Sequence, residues 1–277
     1  MRVEVARYAG ICYGVERALK LAEEAAESGA PVHTLGPLIH NPQAVTALRE
    51  RGVEVASTLD EAPSGTLVIR THGVEPAIID AARRKGLNVV DATCPHVSKA
   101  HEAAEELKRG GYTVVIVGEA DHPEVEGIMA HAGGEAIVVS SAGELPSRMP
   151  SRRVGVVVQT TQSLRRLNEV VEAIMPRVSE LRVFNTICSA TGKRQQSAGE
   201  LAETVDVMIV VGGHNSGNTT RLAEICSAVN DKVHHVETAD DLEPEWFEGA
   251  ESVGVTAGAS TPDEQMRGVI RAIEAIA

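Results

Sequence analysis

Three cysteines occupy matching places in this chain of 277 residues. Cys12, Cys94 and Cys188 each follow a short apolar run typical of a strand, and each precedes an amphipathic run typical of a helix. The amino end of a helix carries a partial positive charge, which favours the thiolate over the thiol. Because thiolates bind metals and attack electrophiles, these three side chains are the first candidates for chemistry.

Three thiolates without a C-x-x-C pair are compatible with several kinds of site. A structural zinc takes four ligands and would need His96 or His122 as the fourth. Iron–sulfur clusters are held by thiolates, usually four, so three would leave one iron open for Lewis-acid or redox catalysis. The wide spacing favours a cluster, and buried structural thiols are the alternative. Cys226 lies within a predicted helix and is expected to be a core residue.

His40, His72 and His122 each end a predicted strand beside a turn-forming residue, which makes them candidate ligand-binding side chains. Imidazoles, hydroxyls and helix amino-terminal N–H groups all bind phosphate, so such loops suit a diphosphate. The glycine-rich segment 212–218 matches neither a nucleotide-binding P-loop nor a dinucleotide fingerprint. Glu124 is either a proton donor with a raised pKa or a carboxylate that stabilises a helix end. Five further histidines are expected to be structural: His33, His101, His131, His234 and His235.

The same order of elements follows each of the three cysteines. A helix and a strand lead to a first polar loop, 26 to 28 residues later (40−12, 122−94 and 214−188), and a second helix and strand lead to a second loop. The loop residues, in pairs, are His40 and His72, His122 and Thr160, and His214 and Ser260. Open α/β sheets bind their ligands at the carboxyl ends of strands, where all these residues fall.

Short runs rich in Val and Ile alternate with amphipathic stretches along the whole chain, which predicts an α/β protein with parallel sheets. We expect three α/β units, at 1–94 with the amino-terminal strand, 95–187 and 188–277, related by a pseudo-threefold axis around a central site. The predicted strands are 3–6, 31–35, 66–70, 88–91, 113–117, 136–139, 154–158, 181–184, 207–211, 233–236 and 252–256.

Composition restricts the classes of partner. A net charge of -13 argues against binding to nucleic acid or to an anionic membrane, since both need a basic surface. No segment has the length of apolar sequence that a signal peptide or a spanning helix needs, so we expect a cytoplasmic protein. Aromatic residues are only 2% of the chain, so the core must consist of Val, Ile, Leu and Ala.

Several blocks of sequence, in order and over nearly the whole chain, resemble the 4-hydroxy-3-methylbut-2-enyl diphosphate reductase family. The blocks are Gly10-Ile11-Cys12-Tyr13-Gly14-Val15-Glu16-Arg17-Ala18, Ile39-His40-Asn41, Thr71-His72-Gly73-Val74, Asp91-Ala92-Thr93-Cys94-Pro95, His122-Pro123-Glu124-Val125-Glu126-Gly127, Gln159-Thr160-Thr161, Thr186-Ile187-Cys188-Ser189-Ala190-Thr191 and Ala257-Gly258-Ala259-Ser260. The chain departs from the family pattern at Ile11, Tyr13 and Asn185, and at Gly217, where the family has a phosphate-binding serine.

The resemblance implies an iron–sulfur oxidoreductase of the non-mevalonate isoprenoid pathway, which converts its substrate into isopentenyl and dimethylallyl diphosphates. It implies a trefoil of three units around a [4Fe-4S] cluster held by Cys12, Cys94 and Cys188, with the substrate hydroxyl on the fourth iron. It also implies a catalytic role for Glu124, His122 and Thr160. The substrate-binding residues it implies are His40, His72, His122, Thr160, Ser216, Gly217, Asn218 and Ser260.

A cluster that accepts one electron at a time implies ferredoxin or flavodoxin as the electron donor. We expect the donor to dock near Lys193-Arg194 or Arg152-Arg153. The alternative function is a non-catalytic metal or cluster protein whose loops sense a phosphorylated metabolite.

Overall fold

The computed structural model describes residues 1–276, in which strands alternate with helices. The strands are β1 (Arg2–Val5), β2 (Val32–Leu35), β3 (Val53–Ala56), β4 (Thr66–Ile69), β5 (Asn88–Asp91), β6 (Thr113–Val117), β7 (Ile137–Val139), β8 (Arg153–Val158), β9 (Glu180–Phe184), β10 (Val207–Val211), β11 (Val233–Val236) and β12 (Ser252–Ala257). The α-helices are α1 (Tyr13–Ala26), α2 (Pro42–Glu50), α3 (Pro76–Arg84), α4 (Pro95–Arg109), α5 (Pro123–His131), α6 (Leu164–Ile174), α7 (Ser189–Ala202), α8 (Gly217–Ser227) and α9 (Asp263–Ile276). Short 3₁₀ turns lie at Leu59–Glu61, Ala142–Glu144, Met175–Arg177, Ala239–Asp241 and Pro244–Phe247.

The strands form three four-stranded parallel sheets, which confirms the predicted α/β class. Their orders are β3-β2-β4-β5, β7-β6-β8-β9 and β11-β10-β12-β1. One edge of each sheet is formed by β3, β7 or β11. The other edge is formed by β5, β9 or β1, which are the strands that lead to a cysteine. The three sheets therefore have one topology, as the repeat in the sequence predicts.

The first strand corrects the predicted grouping. β1 pairs with β12, with Arg2 opposite Ser252 and Val5 opposite Val255, so it belongs to the third sheet and not to the first. The corresponding place beside β4 is already filled by β5, whose Asp91 lies opposite Ile69. The strand before Cys12 thus completes the sheet of the last unit, just as β5 and β9 complete theirs.

The chain also divides into two compact units. Unit 1 consists of Met1–Glu16, Ile39–Thr46 and the chain from Ser189 onward, and it contains the sheet β11-β10-β12-β1. Unit 2 consists of Arg17–Leu38 and Ala47–Cys188, and it contains the other two sheets. The three boundaries predicted from the sequence stay a prediction.

Each sheet is packed with aliphatic side chains, as the scarcity of aromatic residues predicts. In unit 2, Val156 of β8 packs with Leu167 and Val170 of α6, and all three are at most 3% exposed. In unit 1, Val255 of β12 packs with Ile273 of α9, and neither is exposed. Each such side chain contributes about 1.5–3 kcal/mol through burial. In residues 1–276 no helix has the length and apolar character needed to span a membrane.

Candidate active site

Each of the three cysteine loops is joined by one backbone hydrogen bond to the loop that follows the neighbouring strand of the same sheet. The cysteine donates its N–H to a carbonyl oxygen in the loop that follows the neighbouring strand. The three bonds, each with an N···O distance of 3.0 Å, run from Cys12 to Ala259, from Cys94 to Thr71 and from Cys188 to Thr160. The second polar loop of each unit therefore lies directly beside a thiol, which is the arrangement that the repeat predicts.

All three cysteines are partly exposed, and each lies at a helix start. Cys94 is the residue before α4, where Pro95 occupies the first helical position, and its carbonyl accepts the N–H of Ser98. A proline at this position loses no hydrogen bond, because the first N–H groups of a helix have no partner within it. Thiols in such positions remain accessible to a metal.

Cys226 differs from the other three cysteines, as predicted. It lies on α8 with no exposed surface, and its Sγ is 3.7 Å from the carbonyl oxygen of Ala198. Burial raises the pKa of Cys226 to about 12, so it stays a neutral thiol. Its role as a core residue is confirmed.

Glu124 is a buried carboxyl held by a single residue. It is 1% exposed; its Oε1 accepts the N–H of Thr160 at 2.6 Å, and its Oε2 accepts the Thr160 hydroxyl at 2.9 Å. Burial raises the pKa of Glu124 to about 7, although the two Thr160 hydrogen bonds oppose the change and the charge of Glu119 adds to it. A carboxyl with this pKa is a proton donor suited to neutral pH.

His122 lies immediately before α5 and caps that helix with its ring. Its Nδ1 accepts the N–H of Glu124 at 3.1 Å, so the neutral ring carries its hydrogen on Nε2. The pKa of His122 is lowered to about 4, mainly by burial and also by the positive charge of Arg70. His122 is therefore a neutral hydrogen-bond donor near pH 7, and its ring meets that of His72 edge to face, with centroids 5.5 Å apart.

The loop that carries His72 depends on a close approach at the next residue. Gly73 has φ of +71°, which favours glycine, and a Cβ there would lie 2.6 Å from the ring carbon Cε1 of His101. On the other side of His72, Thr71 donates both its N–H and its hydroxyl to the carbonyl of Leu38, at 3.1 and 3.0 Å. His72 is thus presented by a loop with little freedom to move.

In unit 1, Ser216 and Asn218 lie at the start of α8. The hydroxyl of Ser216 caps this helix by accepting the N–H of Thr219 at 3.4 Å, and Gly217 is the first helical residue. Asn218 is 4% exposed, and neither the oxygen nor the nitrogen of its side-chain amide has a hydrogen-bond partner in the described residues. A buried amide without partners costs about 1–3 kcal/mol, so this position suits a polar ligand.

Ser260 and His40 also lie together in unit 1. Ser260 is 6% exposed, and its hydroxyl donates to the carbonyl oxygen of His40 at 3.0 Å. The predicted site residues therefore fall into two sets. Unit 1 holds Cys12, His40, Ser216, Gly217, Asn218 and Ser260, and unit 2 holds Cys94, Cys188, His72, His122, Glu124 and Thr160.

Two charged residues that act on this site were missed from the sequence. Arg70 lies at the end of β4 and influences His122, and Glu119 influences Glu124. Arg70 could have been recognised from the sequence, because it is a basic residue directly before the Thr71-His72 pair. Glu119 could not, because its effect on Glu124 depends on a fold that brings the end of β6 beside α5.

Docking near Lys193-Arg194 or Arg152-Arg153 stays a prediction, and the structure shows which of these residues a partner could contact. Arg194 is only 5% exposed, and its guanidinium donates to the carbonyl of Gly10 at 2.7 Å, so it cannot meet a partner. Arg153 is exposed but already forms an ion pair with Glu180, at 2.7 Å. Lys193 is exposed, as predicted.

The raised pKa of Glu124 predicts a pH-dependent stability. Between about pH 4.5 and 7 the folded protein binds this proton more tightly than the unfolded chain does. The stabilisation is fully present below pH 4.5 and is lost as the pH rises through 7, by about 3 kcal/mol. Denaturant unfolding at pH 5 and pH 8 measures it, with Glu124→Gln as a reference that does not titrate. Equal pH dependence in the two proteins would contradict the prediction.

Three parallel sheets that each end in a cysteine loop, together with a buried carboxyl of raised pKa, define an α/β protein of the enzyme class. The LytB protein family model matches residues 3–274. The chain belongs to this family.

Relatives of the chain agree in name and in length. It is 50% identical over 276 residues to a 4-hydroxy-3-methylbut-2-enyl diphosphate reductase of Geotalea uraniireducens, covering 100% of this chain and 98% of that protein. It is 52% identical over 275 residues to the reductase of the same name in Geobacter sulfurreducens, covering 99% and 97%.

Two solved structures have the same fold. One is described as (E)-4-hydroxy-3-methyl-but-2-enyl diphosphate reductase, the terminal enzyme of the non-mevalonate pathway; it is 48% identical with a TM-score of 0.73, covering 99% of this chain and all of that one. The other is the E-1-hydroxy-2-methyl-but-2-enyl-4-diphosphate reductase of Plasmodium falciparum, 25% identical with a TM-score of 0.92, covering 98% and 87%.

Proposed function

We propose that this chain reductively removes the C4 hydroxyl of (E)-4-hydroxy-3-methylbut-2-enyl diphosphate, the last step of the non-mevalonate pathway. Two electrons and two protons enter, and the products are water and isopentenyl or dimethylallyl diphosphate. Membership of the LytB family and the name shared by its full-length relatives support this reaction. The observation that carries the proposal is Thr160, which binds both oxygens of Glu124 and accepts the N–H of Cys188.

The thiol set is compatible with a [4Fe-4S] cluster held by Cys12, Cys94 and Cys188. These three thiols are partly exposed, whereas the fourth is buried and protonated. Each begins a helix after an edge strand and is tied by its N–H to a polar loop. When bound, such a cluster supplies single electrons and an iron that acts as a Lewis acid.

Glu124 supplies the proton that turns the leaving hydroxyl into water. With its pKa near 7, a large fraction of this carboxyl is protonated at neutral pH. The hydroxyl of Thr160 can accept that proton and pass its own to the substrate, since a hydroxyl both donates and accepts. Burial of Glu124 keeps water away from its carboxyl, so the proton reaches the substrate through Thr160.

The diphosphate is bound by hydrogen-bond donors from both sets of residues. In unit 1 these are His40, Ser216, Asn218 and Ser260, with the N–H of Gly217 in place of the serine of the family pattern. The unpartnered amide of Asn218 and the amino end of α8 both favour an anion. In unit 2, His72 and His122 are proposed to bind the diphosphate in the same way, His122 through its Nε2–H, since its Nδ1 accepts the N–H of Glu124.

The electrons come from a ferredoxin or a flavodoxin, because the chain carries no dinucleotide fingerprint and a cluster accepts one electron at a time. A cytoplasmic location stays a prediction.

Anaerobic purification tests the proposed function. We expect stoichiometric iron and sulfide, a broad visible absorbance, and conversion of the allylic diphosphate to the two products with reduced methyl viologen as electron source. Protein that holds the cluster and binds the substrate without turnover would instead support a sensor, and protein with no cluster would overturn both functions.

A further inference from the structure

An exposed aromatic and cationic surface surrounds the loop that leads to Cys12. It consists of Arg7, Tyr8 and Lys193, all in unit 1, and is called the Tyr8 patch. The chain has three tyrosines, and two of them flank Cys12 in sequence, with Tyr8 38% and Tyr13 70% exposed. Exposed tyrosine in a protein so poor in aromatic residues is not needed for the core, and tyrosine is enriched at binding surfaces.

The cations of the Tyr8 patch lie against its aromatic ring. The guanidinium of Arg7 is 5.4 Å from the centroid of the Tyr8 ring, and the ammonium of Lys193 is 5.7 Å from it. Neither cation forms an ion pair with a carboxylate in residues 1–276. In a protein of net charge -13, this is a local surface that an acidic partner would prefer.

The backbone beneath the Tyr8 patch is firmly attached to the rest of unit 1. The N–H of Tyr8 donates to the hydroxyl of Ser197 at 3.3 Å, and Arg194 donates to the carbonyl of Gly10 at 2.7 Å. The N–H of Gly10 donates to Ala257 at 3.2 Å. Because α7 and β12 hold this loop in place, a partner would meet a preorganised surface and lose little entropy on binding.

We propose that the Tyr8 patch is the docking surface for a small acidic protein that carries single electrons. The inference rests on the proposed function, which needs two electrons from a carrier protein. Cys12, a proposed cluster ligand, lies between Tyr8 and Tyr13 in sequence, so a carrier seated here is placed at the loop of that ligand. Electron-transfer encounters are small and steered by charge, which suits a few cations around an aromatic centre.

The test is a charge reversal on the complete, cluster-loaded protein, with an acidic ferredoxin as the probe. In Arg7→Glu/Lys193→Glu we expect the Kd for oxidised ferredoxin, measured by calorimetry at low salt, to rise by about tenfold or more, and its salt dependence to flatten. The KM for reduced ferredoxin should rise in parallel. Turnover with reduced methyl viologen should stay at the wild-type rate, since a small reductant does not need the patch.

The matched control is Arg83→Glu/Arg84→Glu, which makes the same change of net charge at an exposed place in unit 2. It should leave the Kd for ferredoxin within twofold of wild type. An unchanged Kd in the Tyr8-patch variant, or an equal loss in the control, overturns the proposal. So does a change in sedimentation without a change in ferredoxin affinity, which would make the patch a contact between copies of this chain. Absence of viologen-driven turnover in the wild type would instead count against the proposed function.

Discussion

Glu124→Gln is expected to lower turnover of the allylic diphosphate by about 10²–10⁴-fold, the usual contribution of a general acid. The amide has nearly the same shape, and its oxygen can still accept the N–H of Thr160, which now lies 2.6 Å from Oε1. Its nitrogen can donate to the Thr160 hydroxyl, which then acts as acceptor. The variant therefore keeps the local packing and loses the transferable proton. Single-turnover kinetics with chemical reductant measure the effect, and calorimetry measures substrate binding.

Glu119→Gln is the matched control for this variant. It removes a nearby negative charge that raises the pKa of Glu124, but it leaves the Glu124 carboxyl in place. We expect turnover within about tenfold of wild type and a pH profile displaced to lower pH. If Glu124→Gln turned over substrate as fast as wild type, Glu124 would not be the acid. If Glu124→Gln bound the substrate as tightly as wild type, and wild type had no turnover, the alternative function of a metabolite sensor would be favoured.

Serine in place of Cys94 is expected to abolish stable cluster binding and turnover together. An iron–sulfur cluster is held by thiolates, and loss of one of three protein ligands leaves two. Because Cys12 and Cys188 occupy the same place in the other two sheets, their serine variants should behave in the same way. Iron and sulfide counts on anaerobically purified protein, with the visible spectrum, measure the effect directly.

Cys226→Ser provides the control for these variants. The side chain is fully buried on α8, so a hydroxyl there costs about 1–3 kcal/mol of unfolding free energy. Its iron content should nevertheless equal that of wild type. A Cys94→Ser protein that is folded and retains a full complement of iron and sulfide would contradict the assignment of the three ligands.

Most of the fold could be predicted from the sequence because each strand is a short aliphatic run with turn residues on either side. All of the predicted strands are present, with ends displaced by at most a residue or so. β3 (Val53–Ala56) was missed because it is only four residues long, follows Gly52 and contains the charged Glu54, so its sequence resembles a loop. The pairing of β1 could not be predicted either, because an amino-terminal strand gives no local sign of which sheet edge will take it.

The residues of the candidate site could be named from the sequence, but their electrostatic state could not. The sequence places Glu124 two positions after His122, whereas the raised pKa of Glu124 depends on burial and on Thr160, which lies 36 positions away. Likewise, Arg194 is an ordinary surface arginine by its sequence context. Its burial follows from a hydrogen bond to Gly10, 184 positions away.

The pairing of β1 with β12 has a consequence for how the protein is made. β1 leaves the ribosome long before the strand to which it is hydrogen bonded, because that strand begins 250 positions later (252−2). The strands of the other two sheets are complete once residue 184 has emerged. The loops of Cys94 and Cys188 can therefore form during translation. The loop of Cys12 cannot form until β12 has been synthesised, and pairing between strands so distant in sequence is slow. The set of three thiol loops is therefore complete only after β12 has emerged.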